Sequence, residues 1–286
     1  MKIGIFSNTE KDIDNQYQTA ITKSIQRAGG IAELLHEDVL FDPLQKNDIE
    51  LIICLGGDGT FLKASRKSYM YRIPVLGINM GKLGFLTEVE VDEIDYAVKR
   101  VLQGDFEVEE RMILQGSIVR NGDTIYFGNA LNEFVVAPGK HGHVLHVKTY
   151  MNGMYLDSYL GDGIIAASPT GSTAYSMSAG GPIVQPDTDI IIMTPICPHT
   201  LYARSFITAG NGQIQVEIDE PEAGKALLIA DGVQRVEMQG GDKVTVCKSD
   251  AKMRIVKLGN TNFFETLRHK IYKREGNRHN HDAKKT

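Results

Sequence analysis

The sequence has 286 residues, of which 42% are hydrophobic, and it carries a formal net charge of −5 at pH 7. This length suffices for one large or two ordinary domains, and the acidic balance disfavours nucleic-acid binding, for which clustered positive charge is typical. No run of roughly 18 apolar residues would span a membrane, and the N-terminus turns polar too early for a signal peptide. We therefore expect a cytoplasmic protein that acts on neither nucleic acid nor membranes.

Strand-like and helix-like patterns alternate through the first hundred residues. Apolar runs predict strands at Lys2 to Ser7, Ile31 to Leu35, Glu50 to Leu55 and Pro74 to Asn79. Helical spacing of apolar residues predicts helices at Asp14 to Ala28, Phe61 to Tyr69 and Asp92 to Leu102. Such alternation is typical of βαβ units around a mostly parallel sheet, in which ligands bind at the carboxyl ends of strands.

A glycine-rich segment, Gly56-Gly57-Asp58-Gly59-Thr60, directly follows the third predicted strand. Glycines let backbone N–H groups approach phosphate oxygens closely, and a helix N-terminus behind them favours anions. Asp58 would repel a phosphate, so it accepts a proton, binds Mg²⁺ or stabilises the turn. A tight strand-to-helix turn with a purely structural Asp58 remains the alternative interpretation.

After Asp105 the sequence becomes rich in short strands separated by turn signals. The dipeptides Asn121-Gly122, Asn152-Gly153 and Asp231-Gly232 each lie beside strand-like segments, as in β-hairpins. We predict an α/β domain over residues 1–105, completed by 257–286, and an all-β domain over 106–256. A helix at Asn262 to Tyr272 is expected to pack back on the first domain.

Three further segments carry polar chemistry. Gly77 to Leu86 is a second glycine-rich stretch that ends another predicted strand, so its loop should lie beside Asp58 on the same rim of the sheet. Asn132 and Glu133 offer an amide and a carboxylate suited to an adenine edge and a ribose diol, although exposed residues at a strand start would look the same. The third segment, Tyr159 to Pro182, contains many hydroxyls interleaved with glycines.

Ordinary turns do not explain the large number of hydroxyl side chains in this third segment. Seven hydroxyl side chains fall within eleven positions, a composition suited to a sugar and phosphates: Ser168, Thr170, Ser172, Thr173, Tyr175, Ser176 and Ser178. A serine-protease-like triad is not indicated, because Ser172 lacks the G-x-S-x-G pattern.

Two other features receive structural interpretations. Cys54, Cys197 and Cys247 lie far apart in or beside apolar runs, which predicts buried, reduced thiols rather than disulfides or a zinc site. The basic stretch from Arg268 to Thr286 is typical of a solvated tail, with a nucleic-acid-binding arm as the alternative.

The motifs, taken together and in order, resemble the NAD kinases. The segments are GGDGT (56–60), GKLGFL (81–86), NE (132–133), GDG (161–163), SPTGSTAYSMSAGGP (168–182) and TPICPHTL (194–201). The resemblance implies ATP-dependent phosphorylation of the adenosine-ribose 2′-hydroxyl of NAD to NADP, with Mg²⁺. It also implies a Rossmann-like or phosphofructokinase-like parallel sheet, a C-terminal β-sandwich domain, and homodimers or homotetramers.

Roles follow from the resemblance position by position. Asp58 corresponds to the general base, and Gly59 approaches the dinucleotide. Asn132 and Glu133 would bind adenosine, and Asp162 the far ribose or nicotinamide. The adenine and ribose would be bound by Thr173, Ala174, Tyr175, Ser176, Met177 and Ser178.

Three more positions are assigned. Lys63, one helical turn after Asp58, would meet a phosphate; His143 would make a polar contact; and Gln234 would close the site. Each has an equally plain alternative as a solvated lysine, a surface histidine and a strand glutamine.

Two other functions fit parts of the sequence. Diacylglycerol-type lipid kinases share GGDGT, but the hydroxyl-rich segment and the lack of an apolar membrane-facing stretch disfavour them. A non-catalytic NAD(P) sensor would use the same binding residues, and Asp58 argues against it because a sensor needs no base. Fold alone would not decide between these functions.

Overall fold

A computed structural model describes residues 1–35, 48–81, 84–139, 143–200, 202–219, 226–259 and 262–270, apart from the side chain of Lys67. The chain divides into two compact units. The first unit comprises Met1–Glu109 and Arg254–Thr286, and the second comprises Glu110–Met253. The predicted basic tail beyond residue 270, with its histidines, lies outside the described residues.

The first unit is built on a parallel sheet. Its strands follow the order β2-β1-β3-β4 and have the bounds β1 Lys2–Ser7, β2 Ile31–Leu35, β3 Leu51–Leu55 and β4 Val75–Asn79, with the short β5 Val89–Glu90 beside β4. Every residue of β3 and β4 is buried. Continuous apolar runs of this kind belong to parallel strands covered on both faces.

Helices of the first unit are α1 Gln16–Arg27, α2 Asp58–Ser68, α3 Ile94–Leu102 and a helix at residues 263–270, called here the 263–270 helix. The expected start of α1 at Asp14 is wrong, because Asp14 and Asn15 have positive φ angles that interrupt the helix. Asp12 instead accepts hydrogen bonds from the backbone N–H groups of Tyr17 and Gln18 at 2.8 and 2.9 Å. These bonds satisfy donors that a helix start leaves without partners.

The helix faces and the sheet share one apolar core. Fully buried members include Ile3, Ile53, Leu76, Ile21, Ala97, Val98 and Val256. The buried positions of α3 recur at helical spacing, as expected for a helix that buries one face.

Two antiparallel layers form the second unit. One layer contains β6 Glu107–Arg120, β7 Asp123–Ala130, β9 Leu145–Met151, β10 Met154–Gly161, β14 Gln213–Ile218 and β17 Lys243–Lys257. The other follows the order β13-β12-β11-β8-β15-β16, with β8 Glu133–Pro138, β11 Gly163–Ala167, β12 Ile190–Ile196, β13 Phe206–Ala209, β15 Ala226–Ala230 and β16 Gln234–Met238. The short helix α4, Tyr175–Ser178, follows a 3-10 turn at Thr170–Thr173.

Side chains from both layers pack into a common core that includes Phe134, Val147, Tyr159, Ile164, Ile214 and Leu228. Two packed antiparallel sheets with interdigitating inner faces are a β-sandwich. The predicted fold class, an α/β domain followed by an all-β sandwich, is confirmed.

The three predicted hairpin turns occur where expected. Asn121-Gly122, Asn152-Gly153 and Asp231-Gly232 all have positive φ at both residues, which is the geometry of type I′ turns. They connect antiparallel pairs of strands.

All three cysteines are free. Cys54 is buried in β3, and this burial raises the pKa of its thiol. The expectation of burial is wrong for Cys197, which is exposed because it follows the end of β12 with φ +42°. None of the helices in the described part of the chain has the length and apolar character needed to cross a membrane.

Candidate functional site

Asp58 is the first residue of α2, at the carboxyl end of β3. The helix therefore begins three residues before the predicted Phe61. The reason lies in Gly57, whose carbonyl oxygen accepts hydrogen bonds from the N–H groups of Thr60 and Phe61, each at 3.0 Å. The N–H groups of the first residues, Asp58 and Gly59, have no partner within the helix.

The Asp58 carboxylate is held by the second glycine-rich segment. Its Oδ2 accepts a hydrogen bond from the N–H of Phe85 at 3.0 Å, and its Oδ1 accepts one from Leu86 at 2.9 Å. The side chain remains 32% exposed. The prediction that the two glycine-rich segments lie side by side is confirmed.

Glycines allow the second glycine-rich segment to lie this close to Asp58. A Cβ atom on Gly77 in β4 would lie 2.7 Å from the carbonyl oxygen of Leu86, and one on Gly84 would collide with Asp58 Oδ1. The side chain of Thr87 fixes the segment further, since its Oγ1 accepts a hydrogen bond from the N–H of Gly84 at 2.8 Å. The orientation of Asp58 thus depends on two glycines without a Cβ atom, Gly77 in β4 and Gly84 in the following loop.

Lys270 also contacts Asp58. Its Nζ lies 3.2 Å from Asp58 Oδ2 and 4.2 Å from the centre of the Phe85 ring. Lys270 was not predicted from the sequence, because 212 residues separate the two partners and no local motif connects them.

Gly59 and Lys63 lie on α2 with Asp58. Gly59 is exposed and no described atom lies within 4 Å of the position that its Cβ would take. Lys63 is partly exposed one turn further along the helix. Asp58, Gly59 and Lys63 thus belong to the first unit, whereas the other predicted site residues belong to the second.

Asp231 organises the first group of residues in the second unit. Its carboxylate accepts hydrogen bonds from three consecutive N–H groups, those of Leu131 at 2.9 Å, Asn132 at 2.8 Å and Glu133 at 3.3 Å. The turn signal at Asp231-Gly232 was recognised in the sequence, but this long-range role was not. The predicted pair Asn132 and Glu133 is therefore fixed through its backbone and is buried rather than exposed.

Glu133 has an unusual carboxyl group. It is 6% exposed, its Oε2 is buried without a hydrogen-bond partner among the described residues, and its pKa is raised to about 8. Burial is the main cause, the charge of Asp231 adds to it, and a hydrogen bond with the Tyr175 backbone opposes it. Near neutral pH this group is largely a neutral acid that can donate as well as accept a hydrogen bond.

The hydroxyl-rich segment divides into inward and outward members. Ser168 donates to the carbonyl oxygen of Leu131 at 2.6 Å, Ser172 bonds to the backbone of Val184, and Ser176 bonds to Thr194 at 3.2 Å. These three serines are fully buried. Their hydroxyls serve the structure of the segment itself.

The outward members are available to a ligand. Tyr175 and Ser178 are exposed, and Thr173, Ala174 and Met177 are partly exposed. Because Ser176 alternates with them and points inward, α4 is anchored on one side and open on the other.

Asp162 lies near this open side of the second unit. It is exposed in the short connection between β10 and β11. The pKa of Tyr175 is raised mainly by burial, with contributions from the charges of Cys197, Asp162 and Glu133. This electrostatic influence places the predicted residues Glu133, Tyr175 and Asp162 within one neighbourhood.

His143 and Gln234 have weaker connections. His143 is exposed just before β9. Gln234, exposed at the start of β16, accepts a hydrogen bond from the Tyr126 hydroxyl at 3.4 Å. Among the residues that the structure describes, no hydrogen bond, ion pair or ring contact joins either residue to Asn132, Glu133 or Tyr175.

Family models cover most of the sequence. Residues 3–106 match the ATP-NAD kinase N-terminal domain, and residues 131–258 match the ATP-NAD kinase C-terminal domain. The NAD kinase of Acetivibrio thermocellus is 44% identical over 283 residues, covering 96% of this chain and 98% of that protein. The NAD kinase of Ruminiclostridium cellulolyticum is 41% identical over 282 residues, covering 96% and 99%.

Solved structures agree with this assignment. An NAD kinase from Archaeoglobus fulgidus in complex with ATP has a TM-score of 0.75 and 26% identity, covering 94% of this chain and 99% of that one. Yeast NADH kinase complexed with NADH has a TM-score of 0.83 over 95% of this chain and 87% of that one, and at 22% identity it supports the fold alone. From the order of its motifs, its fold and its sequence relatives, the chain belongs to the NAD kinase family.

Proposed function

We propose that Asp58 is the general base by which this member of the NAD kinase family activates the 2′-hydroxyl of the adenosine ribose of NAD. The chain phosphorylates NAD to NADP and uses ATP as the phosphoryl donor. The observation that supports the assignment to Asp58 is the environment of its carboxylate. It lies at the carboxyl end of a parallel strand, is aimed by two backbone N–H groups, and keeps a third of its surface exposed.

The proposed reaction needs little covalent chemistry from the protein. The hydroxyl proton passes to Asp58, the hydroxyl oxygen forms a bond to the γ-phosphorus of ATP, and the bond from that phosphorus to the bridging oxygen breaks to release ADP. Phosphoryl transfer of this kind depends mainly on positioning and on stabilisation of charge. The N-terminus of α2 suits a phosphate, since helix N-termini attract anions.

The contacts to NAD are proposed for the second unit. Asn132 and Glu133 would bind the adenosine, where the unpartnered Glu133 Oε2 would gain a hydrogen bond. Burying a polar atom without a partner costs free energy, so a hydroxyl or amine group placed there would relieve the cost. Asp162 would bind the far ribose or the nicotinamide.

The segment Thr173–Ser178 would bind the adenine and the adjacent ribose. Its exposed members are Tyr175 and Ser178, and Thr173, Ala174 and Met177 are partly exposed. The hydroxyl of Ser176 is bonded internally to Thr194, so the proposed contribution of Ser176 comes through its backbone. Gly59 and Lys63 would approach the dinucleotide and a phosphate, and His143 and Gln234 would add polar contacts.

A divalent cation is part of the proposal. Among the described residues no group of three histidine, cysteine or acidic side chains could hold a metal ion. Mg²⁺ commonly binds largely through substrate phosphates and water. The described residues therefore fit Mg²⁺ carried by the nucleotide, where it would neutralise phosphate charge.

The organisation of the protein is proposed on the same grounds. Residues 1–105 with 257–286 would act as the domain that carries the base, and residues 106–256 as the NAD-binding domain. Cytoplasmic location, a homodimer or homotetramer, and the absence of nucleic-acid or membrane partners complete the proposal.

The experiment is an assay of NADP formation with NAD, ATP and Mg²⁺, run beside the variant Asp58→Asn. We expect turnover to fall by roughly a hundredfold or more, the usual effect of losing a general base. Calorimetric binding of NAD should persist in the variant. Unchanged turnover would contradict the role of Asp58, and NAD binding without any turnover in the unaltered protein would favour the sensor.

A further inference from the structure

The 263–270 helix brings a cation to the proposed base. Lys270 Nζ lies 3.2 Å from Asp58 Oδ2, and both side chains are about one third exposed, at 34% and 32%. The contact lies entirely within the first unit.

Lys270 is itself held in place by aromatic contacts. Its Nζ lies 4.2 Å from the centre of the Phe85 ring, a cation–π distance. The rings of Phe85 and Phe263 are 6.1 Å apart, which connects the same ring to the start of the helix. Asn262 Oδ1 accepts a hydrogen bond from the N–H of Glu265 at 2.9 Å and so caps the helix.

Phe85 connects the two partners. Its backbone N–H donates to Asp58 Oδ2 at 3.0 Å, while its ring lies beside the Lys270 ammonium. Because Phe85 contacts both the carboxylate and the ammonium group, the position of Phe85 helps to set the distance between Asp58 and Lys270.

The two carboxylate oxygens of Asp58 are used unequally. Oδ2 accepts hydrogen bonds from Phe85 and Lys270, whereas Oδ1 accepts one from Leu86. A carboxylate oxygen has two lone pairs for hydrogen bonding. Within the contacts of the described residues, Oδ1 therefore keeps a lone pair available and Oδ2 does not.

We propose that Lys270 is a positioning residue that fixes the Asp58 carboxylate, so that Oδ1 is the oxygen that receives the substrate proton. The inference rests on the proposed function of Asp58. Lys270 neutralises and immobilises the oxygen that does not react, and it has no contact with the reacting hydroxyl. Proton transfer to Oδ1 then breaks the substrate O–H bond without breaking the Lys270 contact.

The test begins with Lys270→Met, which keeps much of the side-chain length and removes the charge. We expect kcat to fall about tenfold, as for the loss of one charge-assisted hydrogen bond at a partly exposed site. The calorimetric Kd for NAD should stay within about twofold. Lys270→Arg should restore most of kcat, because arginine keeps the charge and a donor at this position.

Arg268→Met is the matched control. Arg268 lies on the same helix and is exposed, so its substitution removes one positive charge from the same region. We expect kcat of this variant to equal that of the unaltered protein. Melting temperatures of all variants, measured in parallel, separate a kinetic effect from a loss of folded protein.

The decisive measurement introduces Lys270→Met into Asp58→Asn under single-turnover conditions with excess enzyme. If Lys270 acts through Asp58, the second substitution leaves the residual rate unchanged. An equal loss in both backgrounds would overturn the proposal, since Lys270 would then act on phosphate directly. A rise in kcat for Lys270→Met, or no change, would overturn it as well.

The two proposals fail in different ways. Full turnover by Asp58→Asn would refute the general base. A large loss with Asp58→Asn, together with a kcat of Lys270→Met equal to that of the unaltered protein, would retain the base and refute only the positioning role.

Discussion

Asp58 and Asp231 are each followed by glycine and lie shortly after a β-strand, yet the structure uses them differently. Asp231 is 7% exposed, has φ +48°, and accepts three backbone N–H groups at both oxygens. Asp58 accepts two backbone N–H groups and a lysine, and 32% of its side chain is exposed.

The comparison shows what distinguishes a structural carboxylate from a chemically available one. A carboxylate that accepts several N–H groups in a buried setting is fully occupied as a connector between backbone segments. A carboxylate with the same kind of anchoring, but with one lone pair and part of its surface open, is aimed and still accessible. The residue pair Asp-Gly by itself does not separate the two cases.

The largest expected effect comes from substituting the two aspartates in parallel. Asp58→Asn should lower kcat by roughly a hundredfold or more, with a smaller loss of stability than Asp231→Asn, because the Asp58 side chain is 32% exposed and water can compensate for a lost acceptor. Asp231→Asn should destabilise the fold by about 2–4 kcal/mol, because an amide replaces one acceptor oxygen and directs a donor at backbone N–H groups. Urea unfolding and steady-state kinetics measure both. The comparison would break if Asp231→Asn kept full stability or if Asp58→Asn unfolded.

The next effect concerns the aim of Asp58. A Cβ on Gly84 would collide with Asp58 Oδ1, so in Gly84→Ala either the carboxylate or the loop that holds it must move, and either movement changes the aim of Asp58. We expect kcat to fall about tenfold to a hundredfold, since small misplacements of catalytic groups are costly. Gly81→Ala is the control, because no described atom lies within 4 Å of its added Cβ. If Gly84→Ala and Gly81→Ala had the same kcat, the loop would accommodate the added methyl group without displacing Asp58.

A third prediction uses the buried acid next to Asp231. The pKa of Glu133 is about 8 in the folded protein, raised by burial from the ordinary 4.5 that it has when unfolded. The unfolded chain therefore binds fewer protons between these values, and the free energy of unfolding contributed by Glu133 falls as pH rises through this window. We expect a slope of about 1 kcal/mol for each pH unit.

Glu133→Gln should remove this slope, because glutamine does not titrate. The measurement is urea unfolding of both proteins at several pH values between 5 and 8.5. If the free energy of unfolding changed with pH by the same amount in both proteins, Glu133 would not lose its proton on unfolding in this window.

The smallest expected effect separates outward from inward hydroxyls. Thr173 is partly exposed and its hydroxyl donates a 3.3 Å hydrogen bond to the Thr170 carbonyl oxygen. Thr173→Ala should weaken NAD binding by about threefold to tenfold, as for one hydrogen bond, and lower the free energy of unfolding by less than Ser172→Ala does. Ser172 is buried and bonded to the backbone of Val184, so Ser172→Ala should instead lower the free energy of unfolding by about 1–2 kcal/mol. Calorimetry and urea unfolding of both variants distinguish these results, and reversed outcomes would reverse the assignment.

Much of the fold follows from local sequence patterns. Segments with alternating or continuous apolar residues predicted the strands. Three dipeptides predicted hairpin turns at which the backbone has positive φ: Asn121-Gly122, Asn152-Gly153 and Asp231-Gly232. These signals work because turn geometry and strand burial depend on neighbouring residues. The same locality explains the error at α2, where the carbonyl of Gly57 starts the helix earlier than the apolar pattern suggested.

The candidate site was predictable in its residue types and not in its contacts. Motif order identified Asp58, Glu133 and the hydroxyl-rich segment as chemically distinctive. The partners that tune them come from distant positions: Lys270 lies 212 residues from Asp58, and Asp231 lies 98 residues from Glu133. Which serines face inward also depends on packing between strands, which hydroxyl counting cannot reveal.

The internal hydroxyl bonds of the hydroxyl-rich segment have a consequence for the order of folding. Ser168 bonds to Leu131 across 37 residues, and Ser176 bonds to Thr194 across 18 residues. Contacts between distant positions form only after the chain has closed the intervening loops. These two bonds therefore form only after the chain between Leu131 and Thr194 has folded, so NAD binding followed during refolding would test whether the proposed binding segment depends on them.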